Sequence, residues 1–128
     1  MLWRRIIVLT VSLLMLLSSA CLAQEDMEFV DANGATGYYV DVASISFESD
    51  DIANARIAVI KANQNRRYIY AARFDRQQRT YQLYSSVVQQ YDTKAQLENS
   101  PITDTPHPYG VASPMKEMVD FIFQYRGK

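Results

Sequence analysis

From Phe29 to Tyr91 the apolar positions recur mainly at every second residue, the period of a strand with one buried face. Helical spacing is absent there. Polar or glycine breaks fall at Asn33 and Gly34, at Gly37, and at residues 48–51, 63–65 and 76–79. They bound expected strands over residues 28–32, 37–41, 44–48, 54–61, 67–75 and 80–91. Short strands in tandem with polar turns imply an antiparallel meander of about five to six strands.

The stretch RRYIYAARFDRQQRTYQLY, residues 66–84, alternates arginine with tyrosine. A four-residue turn over residues 76–79 sets Asp75 opposite Thr80, Phe74 opposite Tyr81, Ala72 opposite Leu83, Tyr70 opposite Ser85 and Tyr68 opposite Val87. A two-residue turn at Gln77 and Gln78 would put Arg76 directly against Arg79, an unfavourable like-charge pair. The longer turn is therefore expected. It sends the rings inward to one apolar face. The reverse face then carries Arg67, Ile69, Ala71 and Arg73 beside Gln82, Tyr84, Ser86 and Val88, a mixed surface that water can wet.

Buried tyrosine rings need a cover, and the segment SPMKEMVDFIFQYRGK supplies one. Ser113 suits an N-cap and Pro114 the first helical position. Met115, Met118, Val119, Ile122 and Phe123 recur at intervals of three and four, which makes one apolar stripe. The expected fold is thus α+β, a single antiparallel sheet over residues 28–91 packed on a C-terminal helix over 113–125. Residues 92–112 contain Pro101, Pro106 and Pro108, show no period, and read as a surface connection.

The first 23 residues change where this domain is expected. Arg4 and Arg5 precede an apolar run from Ile6 to Leu17 and then small residues, the order of a secretory signal peptide. The run is too short for a spanning helix. Cys21-Leu22-Ala23 favours cleavage between Ala23 and Gln24, whereas Ala20-Cys21 is the alternative, a lipid acceptor with Ser18 where a lipobox has an aliphatic residue. Cys21 is the single cysteine, so neither route leaves a disulfide framework. The expected location is the periplasm, the cell surface or the exterior, with membrane attachment only through a lipid on Cys21.

Without residues 1–23 the chain holds 11 Lys and Arg against 14 Asp and Glu, a net charge of −3. A phosphate-binding surface is normally basic, so this balance and export argue against nucleic acid. The remaining 105 residues suffice for one small domain.

Catalytic and metal patterns are weak. His107 is the single histidine and has no partner at ligand spacing. No G-x-S-x-G elbow occurs, and Gly34, Gly37, Gly110 and Gly127 form no phosphate loop. Glu48, Asp50 and Asp51 share one turn, where solvated acids are ordinary. Asp31 and Asp41 suit turns by accepting backbone hydrogen bonds. No cofactor is expected, and the chain reads as a non-enzyme.

YYVDVASI, then FDRQQRTYQLYSSVVQQYD, then VASPMKEMVDFIF resemble, in that order, the surface-adhesin protein E family, over most of residues 37–125. The resemblance implies an antiparallel sheet on a C-terminal helix, carried at the bacterial surface or in the periplasm. It also implies binding of host matrix and serum proteins, as founding members do. Family members often have a cysteine in the hairpin region and another near the helix end. This chain has neither, with Phe74 and Phe123 nearby instead, and no binding residue carries over.

Two functions follow as expectations. One is an exported envelope or secreted domain that contacts extracellular or envelope proteins through its outer sheet face and its proline-containing loop, with Arg67, Arg73 and Tyr84 as the binding residues of that face because arginine and tyrosine are enriched at hot spots. Against it stands the plain reading that these side chains form a solvated strand surface. The other is a carrier that holds a small apolar ligand between the tyrosine face and the helix.

Overall fold

The computed structural model describes residues 25–125. The signal-peptide reading, the Ala23 and Gln24 cleavage site and Cys21 lie outside the described residues. Six antiparallel strands follow one another across a single sheet in chain order: β1 (Met27–Asn33), β2 (Thr36–Phe47), β3 (Ile52–Lys61), β4 (Arg66–Asp75), β5 (Thr80–Gln90) and β6 (Gln96–Pro101). A two-residue strand, β7 (His107–Pro108), shares the outer edge of β5 with β6, pairing with Thr80 and Tyr81. One helix, α1 (Pro114–Tyr125), packs on the sheet. This is the α+β meander that the strand period implies.

The turns form where local chemistry favours them. Gly34 takes a left-handed backbone (φ 61°) between β1 and β2, which only glycine adopts without cost. Asp75 Oδ1 accepts the N–H groups of Gln77 and Gln78, both at 3.0 Å, and so closes the four-residue turn between β4 and β5.

Two expected strands, 37–41 and 44–48, are one. Asp41 pairs with Arg56 and Ser46 with Asn54, so residues 42–45 bulge out of a continuous β2. Polar groups hold the bulge: Asp41 Oδ1 accepts from the Asp26 and Ala43 N–H groups (2.9 and 3.2 Å), and Ser44 Oγ donates to the Asp41 carbonyl (2.7 Å) while accepting from the Arg56 N–H (2.8 Å). Asp41 is fully buried and pairs with Arg56 at 3.0 Å. The connection over 92–112 also contains more structure than expected, namely β6 and β7.

The β4–β5 ladder follows the expected pairing only near the turn. Asp75–Thr80, Phe74–Tyr81 and Ala72–Leu83 are partners, but Ala71 pairs with Ser85, and beyond it Tyr70 pairs with Ser86 and Tyr68 with Val88. Tyr84 is the extra residue. Cross-strand partners share a face, so Ser86 and Val88 lie on the helix side, not on the reverse face as expected. Ser85, Val87 and Gln89 take their place there.

The core sits under the helix. Val40, Ala53, Ala55, Ile57, Ala72 and Phe74 from the sheet meet Met118, Val119 and Ile122. Alanines at three of the six sheet positions give α1 room to approach, and Phe74 fills the depth between them. Ser113 caps the helix as expected: its Oγ accepts from the Lys116 N–H at 3.2 Å and donates to the Gly110 carbonyl at 2.8 Å.

Candidate functional site

Arg73 and Tyr84 do share the reverse face of the sheet, but Arg67 does not present itself to a partner. Only 4% of Arg67 is exposed. Its guanidinium donates to Gln89 Oε1 at 2.7 Å and to the Glu25 carboxylate, beside which Lys94 also lies. The reason is the bulge at Tyr84, which brings Gln89 onto the face of Arg67, together with the chain before β1, which brings Glu25 against it. The expected binding role of Arg67 is replaced by a clamp on the N-terminal segment.

Arg73 is engaged as well. Its Nε and its terminal nitrogen both lie 2.9 Å from Glu48 Oε2. That bond holds the Glu48 carboxyl below its ordinary range and raises the Arg73 guanidinium. Arg56 is held by Asp41. Three cations on this face therefore each have a carboxylate, and a partner's acid would have to displace one. Tyr84, 41% exposed, stands over a shallow depression of 280 Å³ with Ser44, Asn54, Arg56 and Ala71. This geometry is that of a solvated strand surface.

The opposite side offers a better shape. Because α1 does not span the sheet, a groove of 310 Å³ opens beside its first turns, lined by Tyr38, Ile57, Val59, Tyr70, Tyr81, Leu83, Pro114, Met115 and Met118. The hydroxyls of Tyr38, Tyr70 and Tyr81 make no hydrogen bond to another described residue and are open to solvent. Burial pushes the Tyr70 phenol up, and neighbouring Tyr68 adds to it. Apolar walls and free hydroxyls at the rim make a surface that takes an apolar group and offers polar contacts around it. Sequence reasoning placed Tyr70 and Tyr81 on the inner face, gave Tyr38 no face, and read the space beneath the helix as core or as a closed pocket for a small ligand, not as an open groove. The signal it missed is that a twelve-residue helix is too narrow to roof a six-stranded sheet.

A second groove, of 450 Å³, lies between the β4–β5 turn, the segment after β7 and the other flank of α1. Arg76 is fixed there by Asp51 at 2.9 Å and by the Phe123 ring, whose centroid is 4.4 Å from its guanidinium carbon. Lys116 pairs with Asp120 at 2.6 Å. Burial pushes the Tyr109 phenol up, with Asp120 adding to it.

Among the described residues, His107 meets one acid and one ring. Its Nε2 is 2.7 Å from Asp104 Oδ1 and its ring stacks at a tilt on Tyr81. Among the described residues no group of three or more histidine, cysteine or acidic side chains is placed to hold a metal, and no helix is long and apolar enough to cross a membrane. Compared with known proteins, the chain matches no family model, no curated protein and no solved structure.

Proposed function

We propose that this chain is an exported, non-enzymatic envelope or secreted domain that grips an extracellular or envelope protein through the tyrosine groove beside α1. The observation that carries the reading is the open groove itself, with three tyrosine hydroxyls free at an apolar rim. Tyrosine supplies large contact area at little conformational cost and is enriched at binding hot spots. The resemblance to surface-adhesin protein E domains and the signal-like N-terminus support the location and the class of partner.

Magnitude favours a protein over a small ligand. Pockets for small molecules enclose most of the ligand and run from roughly 300 to 1,000 Å³. At 310 Å³, this groove stands at the bottom of that range. A protein partner closes the rim with its own surface around one inserted apolar side chain.

Solid-phase binding to immobilised matrix and serum proteins tests the reading. Tyr38→Ala with Tyr70→Ala is expected to weaken retention by about tenfold or more, a loss of at least 1.4 kcal/mol. Arg73→Ala with Tyr84→Ala is expected to leave it unchanged. The opposite pattern would return the site to the reverse face. The carrier reading draws on the same groove through Ile57, Val59, Leu83, Met115 and Met118. It is favoured instead if neutral 1-aminoanthracene binds saturably, loses that binding in the tyrosine variant, and no protein is retained.

A further inference from the structure

The second groove has a floor and a charge that the binding reading leaves unused. We propose that it is a separate site for a carboxylate borne on an apolar or aromatic body, received by the Arg79 guanidinium. Val119 and Phe123 make an apolar floor, and Tyr109 and Val111 form one wall. The β4–β5 turn forms the other wall, and Lys116 also lines the groove.

The charges around the groove are matched except at one place. Asp51 holds Arg76, and Asp120 holds Lys116. Asp75 accepts the backbone N–H groups of its own turn. Among the described residues, Arg79 has no ion pair and no side-chain hydrogen bond. A guanidinium lining a 450 Å³ groove without a carboxylate is the complement of a carboxylate from outside, which it can take with two parallel hydrogen bonds.

The backbone argues the same way. Arg79 sits in the left-handed region (φ 57°), where glycine or asparagine is the ordinary turn residue. Its carbonyl accepts the Tyr109 N–H at 3.1 Å, so the strap that carries Tyr109 is fastened to the residue that carries the cation. Both walls of the groove are thereby fixed relative to each other before any ligand arrives.

Phenylacetate and its neutral isostere phenylacetamide separate the carboxylate from the ring. In amide chemical-shift titrations, phenylacetate is expected to shift Arg79, Tyr109, Lys116 and Phe123 saturably, and phenylacetamide to bind about tenfold more weakly. Arg79→Gly suits the left-handed backbone and removes only the side chain. This variant is expected to unfold at the same temperature or higher and to lose the preference for phenylacetate. Equal binding of the two probes, shifts confined to other residues, no saturable response, or full preference in Arg79→Gly would each overturn the proposal. Because Tyr38 and Tyr70 lie in the other groove, their alanine variant is expected to leave this titration intact whether or not the protein-binding reading holds.

Discussion

Ala72 of β4 faces Leu83 of β5, while the next residue, Ala71, faces Ser85. Tyr84 therefore has no partner in the ladder, and the face of every β5 residue from Ser85 to Gln90 is set by that one insertion. Deleting Tyr84 removes the bulge without changing any β4–β5 pairing, at the cost of the carbonyl that accepts the Ile102 N–H at 2.7 Å on the outer edge. The deletion variant is expected to fold, with the Tyr70–Ser86 and Tyr68–Val88 contacts intact in nuclear Overhauser spectra. Deletion of Ser86 instead would turn residues 87–90 over and is expected to lower the unfolding midpoint sharply.

Glu25 and Arg67 are unequal partners, since the Arg67 side chain is 5% exposed and that of Glu25 33%. Removing Glu25 strands a buried cation, whereas removing Arg67 leaves an acid that water can reach. Glu25→Ala is expected to cost about 2 to 3 kcal/mol in urea denaturation. Arg67→Met keeps an apolar stem of similar length and is expected to cost less than about 1 kcal/mol. Equal losses would mean that the charge pair is not what holds the segment before β1.

Ser113 satisfies one of the free N–H groups at the start of α1. Ser113→Ala is expected to lower stability by about 1 kcal/mol and Ser113→Asp to retain it. Thermal unfolding of both variants checks this, and a larger loss for Ser113→Asp would contradict the capping role.

The bond from His107 lowers the Asp104 carboxyl below its ordinary value of 3.8. A depressed carboxylate adds stability that is present above its unfolded value and is lost as pH falls through its folded value. The local turn that this bond closes over residues 104–107 is thus expected to loosen only on acidification below the ordinary carboxylate range. In His107→Ala the Asp104 titration, followed by carboxyl carbon resonances, is expected to move back up. No movement would show that the backbone N–H of Thr105 alone sets it.

Much of the fold was legible because one buried face imposes a period of two, and because Asp75, Ser113 and Pro114 have local reasons to stand where they do. The slip at Tyr84 left a trace in TYQLYSSVVQQ, where the doublets Ser85-Ser86 and Val87-Val88 break the alternation. Reading through those doublets put Ser86 and Val88 on the wrong face. β6 was invisible because all of its residues are exposed, so no face imposes a pattern. The fate of Arg67 depends on Glu25, 42 positions away, and on a register that the bulge alone decides.

Every strand from β1 to β6 lies beside its neighbour in the chain, so the sheet can zip up from either end through short loop closures alone. The helix is the exception, since it returns from the far end of the chain to β1 and β2. Until those last residues have emerged from whatever makes or moves the polypeptide, Val40, Ile57 and Phe74 face water. The roof is therefore the latest part of the core in chain order, and a nascent chain halted before residue 114 would present a sticky, half-finished sheet.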